Sequence, residues 1–128
     1  MKKILSIEDN SATLNDLKTA IDQCAINSDE LKFLSINKDF DKIHSNTILR
    51  FNPDLIILDI RLNGKYDSSG LNIARILRSS EKTKHIPIVI LSVLAEYQEI
   101  AEREKLYDTF LLKPCENDML LDCVLRLL

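Results

Sequence analysis

The 128-residue chain has only two glycines and three cysteines, and each scarcity closes a route. Both glycines, Gly64 and Gly70, lie in one stretch, whereas the residues after the first apolar run read EDNSATLND. A dinucleotide fingerprint needs three glycines there, and a P-loop needs a glycine-bracketed turn ending in Lys-Ser/Thr. Nucleotide binding of either kind is excluded. Cys24, Cys115 and Cys123 are odd in number and lack metal-ligand spacing, which predicts reduced, mostly buried thiols. No apolar run approaches the length of a membrane span. The opening MKKILSIEDN is interrupted at Ser6 and closed by Glu8 and Asp9, too early for the apolar region of a signal peptide. A cytoplasmic location is therefore expected. With 17 basic against 20 acidic residues, there is no bulk positive charge to attract nucleic acid.

What is present is an ordinary globular composition, 45% hydrophobic and 29% charged, at a length that suits one compact domain over residues 1–128. Five short apolar runs alternate with five stretches of helical period. The runs are Lys3 to Ile7, Leu31 to Ile36, Leu55 to Asp59, Ile88 to Ser92 and Thr109 to Lys113. LIILD and IVIL are continuously apolar and rich in branched residues, as strands buried on both faces of a parallel sheet are. Leu14, Leu17, Ile21 and Cys24 predict a first helix behind the caps Asn10 or Ser11, running to about Asn27. Phe40, Ile43, Thr47 and Arg50 mark a second, which ends before Pro53 because proline disfavours helical geometry at the residue before it. A third starts near Ser69 or Gly70, a mostly charged fourth spans Ala95 to Lys105, and a fifth runs from Glu116 to the C-terminus.

Alternation of this kind predicts an α/β fold: a five-stranded parallel sheet, doubly wound with five helices through right-handed crossovers. With five units and no dinucleotide fingerprint, the flavodoxin-like order 2-1-3-4-5 is favoured, whose ligands bind beyond the carboxyl ends of the strands where the order reverses. The ends of the runs deliver Glu8 and Asp9, Asp59, Ser92 and Lys113 to that edge. Crowded carboxylates need a cation or a proton. A hard divalent ion such as Mg²⁺, which takes one or two carboxylates while contacting a phosphate, meets the need. The chemistry suggested is phosphoryl transfer to Asp59, with Lys113 and the Ser92 hydroxyl stabilising the transferred group. Each residue alone reads as a turn, a helix cap or a solvated strand end. Their joint arrival at the ligand-binding edge favours the chemical reading.

Together, KILSIEDN, PDLIILD, the turn from Asp67 to Gly70, IPIVILS and FLLKP resemble the receiver domains of bacterial two-component response regulators over essentially the whole chain. The resemblance implies that Asp59 is the phosphorylated residue, Asp9 a direct Mg²⁺ ligand, Glu8 a ligand through water and the Arg61 backbone carbonyl a further ligand. It implies that Ser92 and Lys113 contact the phosphoryl group and that the Lys113-Pro114 peptide is cis. Ser92 and Phe110 would form the switch that alters the surface of the fourth helix, fifth strand and fifth helix. The implied partners are a sensor histidine kinase or phosphotransfer protein and a downstream protein target, with no membrane and no direct nucleic acid.

Several residues depart from the family pattern. The loop RLNGKYDSSG is longer than usual, with Asn63 where a proline is expected, Val93 follows Ser92 and narrows the approach to Asp59, and Leu106 and Tyr107 replace a small pair. A pseudo-receiver that binds constitutively without phosphorylation is the alternative. A phosphatase of the haloacid dehalogenase type needs a second Asp two positions after its nucleophile, where this chain has Arg61. The chain is thus expected to be a signalling domain and not an enzyme acting on external substrates. Met119, Leu120, Leu121, Cys123, Val124, Leu125, Leu127 and Leu128 make the last helix too apolar all round for one solvated face, which suggests a homodimer through it.

Overall fold

The computed structural model describes residues 2–9, 12–23, 31–37, 45–62 and 69–128. Five strands, β1 (Lys2–Ile7), β2 (Leu31–Ile36), β3 (Leu55–Asp59), β4 (Ile88–Ser92) and β5 (Thr109–Leu112), alternate with α1 (Ala12–Gln23), α2 (Ser45–Phe51), α3 (Ser69–Ser79), α4 (Glu96–Arg103) and α5 (Asn117–Leu127). The strands form one parallel sheet of order β2-β1-β3-β4-β5, as the alternation predicts. Every residue of β3 and β4 is buried, because helices cover both faces of the central strands. Chain order places β1 between β2 and β3, so the direction of winding reverses beside the end of β3.

Side chains alternate across a strand, and that alternation sorts the core into two layers. Ile4, Leu55, Ile57, Val89, Leu91 and Leu111 meet α1 and α5 on one face. Leu5, Ile7, Ile56, Leu58, Ile88 and Ile90 meet α2, α3 and α4 on the other. In α5, Leu120, Leu121, Cys123 and Val124 are buried in the first layer, leaving Met119 and Leu125 as its exposed large apolar residues. Much of the apolar surplus of that helix is therefore core.

Two helix ends use the left-handed backbone region without glycine. Asn52 (φ 51°) closes α2, its N–H donating to the Ile48 carbonyl at 2.8 Å, just before Pro53. Lys105 (φ 56°) closes α4, with Leu106 N–H on the Ala101 carbonyl and Lys105 N–H on that of Glu102, the paired bonds of a Schellman end. The connection that follows is gripped from α3. Arg75 forms a two-pronged bond to Glu104 at 2.7 and 2.8 Å, and Arg78 bonds Asp108 at 2.7 Å. Asp108 also accepts the Ile88 N–H at 2.9 Å, which ties the clamp to the start of β4. Helix α4 buries only Ala101, so these ends do much of its positioning.

The sequence-based boundaries differ at a few points. β5 stops at Leu112, one residue before Lys113, although the Lys113 N–H still bonds the Ser92 carbonyl at 2.7 Å; Pro114 has no N–H with which to extend the ladder. α4 and α5 begin one residue later than expected, at Glu96 and Asn117. Asn10, Ser11, Cys24, Asn27, Phe40, Ile43, Asn63, Gly64 and Asp67 lie outside the described residues.

Gly70 explains why a glycine stands at the start of α3. Its N–H bonds the Ile60 carbonyl at 2.8 Å, and a Cβ there would collide with the Asp59 carbonyl oxygen and lie 2.5 Å from Ile60 Cα. Because the obstacle is backbone, Gly70→Ala should cost roughly 3 kcal/mol, the upper end of ordinary overpacking. Ile76→Ala on the exposed face of the same helix should stay within about 0.5 kcal/mol. Urea unfolding of the two variants checks the contrast; equal midpoints would refute the close approach.

Candidate functional site

At the carboxyl edge of the sheet, strand alternation turns Glu8, Asp59 and Lys113 toward α1 and α5, and Ser92 and Phe110 toward α2, α3 and α4. Asp59 is the last residue of a fully buried strand and is itself 9% exposed. Lys113 Nζ donates to its Oδ2 at 2.8 Å, and the Arg61 N–H donates to its Oδ1 at 3.2 Å. Both carboxylate oxygens thus have a partner. The Lys113-Pro114 peptide is cis. Asp9 follows β1 and is exposed.

Glu8 faces a different task from that of an open ligand. It is 2% exposed, and its Oε1 accepts the Leu14 N–H at 3.3 Å, satisfying one of the unpaired amides in the first turn of α1. Burial raises its carboxyl above the ordinary value, opposed by hydrogen bonds from Thr13 and Leu14 and by the charge of Lys113. Thr13 was not singled out from the sequence, and only the proximity of Glu8 to a helix start hinted at it.

The Ser92 hydroxyl is buried and turned onto its own loop, accepting the Leu94 N–H at 3.0 Å and donating to the Leu94 carbonyl at 3.1 Å. Asp59 and Ser92 are therefore not bonded here. Phe110 is half-buried and packs edge-on against Tyr107, with ring centroids 5.5 Å apart. Tyr107 stood out in the sequence as a departure, but its contact with Phe110 depends on the turn between them. Beside Lys113 a cavity of about 370 Å³ opens between α1 and α5, with Thr13, Asp16, Val93 and Asn117 on its walls.

The donor chemistry fits a hard cation: Glu8, Asp9 and Asp59 offer carboxylate oxygens and Arg61 a main-chain carbonyl. Among the described residues, no three His, Cys, Asp or Glu side chains converge to hold a metal, whereas the sequence suggested crowded carboxylates; Glu8 is instead committed to α1. Mg²⁺ needs only one or two carboxylates, since water and phosphate oxygens complete its octahedron. The residues present are compatible with such an ion.

A doubly wound parallel sheet of this order, with an acid and a lysine paired at its carboxyl edge, defines a receiver-type signalling domain. The profile of the response regulator receiver domain matches residues 4–125, and the chain belongs to that family of two-component systems. Solved structures agree on the fold. The signal receiver domain of a DNA-binding response regulator from Colwellia psychrerythraea is 20% identical, with a TM-score of 0.76 and 99% and 98% of the two chains covered. For a putative response regulator from Chloroflexus aurantiacus the values are 21%, 0.75, 98% and 96%. The chemotaxis response regulator CheY4 of Vibrio cholerae gives 18% and 0.73, covering 100% of this chain and 99% of its own. No curated protein sequence matches the chain.

The buried Glu8 carboxylate has a measurable cost. Its raised value means that the folded state prefers the protonated acid, so stability falls as pH rises from the ordinary carboxylate range through the folded-state value. Glu8→Gln keeps an acceptor for Leu14 and removes the buried charge. In metal-free buffer the variant should melt a few degrees above wild type at pH 7, with the gap closing at acid pH; thermal unfolding across pH tests this, and an unchanged or lower neutral midpoint would contradict it.

Proposed function

We propose that Asp59 accepts a phosphoryl group from a sensor histidine kinase or phosphotransfer protein, in a reaction that requires Mg²⁺. The observation that carries this reading is the Lys113 ammonium at 2.8 Å from the Asp59 carboxylate, at the edge where ligands of such sheets bind. One Asp59 oxygen attacks phosphorus as the bond from phosphorus to the donor nitrogen breaks, leaving a neutral imidazole and an aspartyl-phosphate. Lys113 neutralises the carboxylate beforehand and can follow the charge onto a phosphoryl oxygen. Ser92 exchanges its Leu94 bonds for another phosphoryl oxygen. Asp9, Asp59 and the Arg61 carbonyl would hold Mg²⁺, with Glu8 acting through water. The bound ion supplies charge neutralisation between acceptor and phosphoryl group.

Moving the Ser92 hydroxyl toward Asp59 vacates space on the side where Phe110 lies. Rotation of that ring, now against Tyr107, would change the α4, β5 and α5 surface that a downstream protein reads. The added charge biases an existing two-state element. Action in the cytoplasm, where a sensor kinase would deliver the phosphoryl group, is part of this reading. Among the described residues no helix is long and apolar enough to cross a membrane. A pseudo-receiver reading draws on Val93 at the cavity wall and on the commitment of Glu8 to α1.

Incubation with Mg²⁺ and a small-molecule phosphodonor such as acetyl phosphate should add one phosphoryl group to wild type, read by intact mass. Asp59→Asn, or chelation of the metal, should abolish the addition. Wild type that stays unmodified under these conditions would overturn the phosphoacceptor reading and favour the constitutive adaptor.

A further inference from the structure

We infer that the groove between α4 and α5, floored by β5, docks a short cationic segment carrying large apolar side chains among lysines or arginines. This deepens the receiver reading by stating the partner chemistry of its output face, and it rests on that reading.

The groove holds about 580 Å³, with Gln98, Phe110, Leu112, Glu116 and Met119 among its lining residues. β5 is the edge strand of the sheet, so no further strand covers this side. Leu112 is 45% exposed and Met119 52%, an adjacent pair of large apolar side chains at the floor and one wall. An apolar floor alone would accept many occupants; charge selects among them. Residues 93–128 hold eight acidic and four basic side chains. Lys113 is committed to Asp59, Glu104 to Arg75 and Asp108 to Arg78, while Arg103 pairs with Glu99 and Arg126 with Asp122. Among the described residues that leaves Glu96, Glu102, Glu116 and Asp118 without an ion pair, against Lys105. Glu102 lies one helical turn beyond Gln98, and Glu116 lines the groove itself. Its rim is therefore negative on α4 and at the start of α5.

A negative rim favours a cationic occupant and repels an acidic one, since like charges brought together at an interface are costly. It also disfavours a second copy of this chain. A two-fold contact would set each acidic rim against itself.

The test titrates the full unphosphorylated chain with a synthetic peptide of alternating leucine and lysine character, and with the same peptide carrying glutamate for lysine. The lysine peptide should bind, weakening as salt is raised, and the glutamate peptide should not. Neutralising the rim in E102Q/E116Q, or making the α5 wall polar in Met119→Gln, should weaken binding at least about fivefold at low salt. E81Q/D22N, with the same change in charge away from the groove, should leave it unaltered. Equal binding of both peptides, or equal weakening by E81Q/D22N, would overturn the assignment. So would a dimer in sedimentation that Met119→Gln dissociates, which would give the groove to a second copy. The measurement needs no phosphoryl group, so a failure here is separable from a failure of Asp59 to be modified.

Discussion

A carboxylate at the end of a strand buried on both faces is the constraint around which this domain is arranged. Asp59 is nearly buried, and three features serve its carboxylate: the Lys113 ammonium, the Arg61 amide and the opening of the sheet edge to solvent at that point. None of these is local in sequence to the others except Arg61. Lys113 reaches Asp59 only because β4 lies between β3 and β5 and all three run in the same direction. The closeness of α3 is set by the same strand end, where Gly70 leaves room for the Asp59 carbonyl. Packing and charge thus converge on one residue.

The period-two alternation of the strands then divides the labour. The side facing α1 and α5 holds the acid, the lysine and Glu8, whereas the opposite side holds Ser92 and Phe110. In the proposed switch, a change in charge at Asp59 would reach the second side through Ser92, whose hydroxyl bonds its own turn and could be redirected without breaking a helix or strand. What must stay still is secured separately. Arg75 and Arg78 anchor the connection from α4 to β5 to the rigid α3, so a weakly buried helix sits on a defended base. Arg78 and Asp108 also engage backbone at the start of β4. Arg75 and Glu104 are more open to solvent, and are the weaker of the two grips by the usual behaviour of exposed ion pairs.

Much of this was legible in the residues. LIILD and IVILS declared central strands because continuous branched apolar runs survive only where both faces are covered, and five such units without a glycine fingerprint favoured the strand order found. Asp59, Ser92 and Lys113 could be placed at one edge because each stands at the end of a run. The direction of each side chain could not. Glu8 and Asp9 read alike as a pair of acids, yet Glu8 is turned into α1 and buried, a result of helix packing rather than of residue type. In α5 an apolar excess suggested a second apolar surface, although most of those residues fill the layer shared with α1.

Periodicity and chain order carry, locally, the class of fold, the order of its elements and which chemical groups arrive at the carboxyl edge. Which of those groups meet was settled by packing alone. Lys113 pairs with Asp59 across 54 positions of sequence, Ser92 does not, Glu8 closes a helix, and Phe110 rests on Tyr107. Those choices depend on strand register, on helix placement and on competition between nearby hydrogen-bond partners. Each arises from packing between elements distant along the chain, which no local pattern of residues encodes.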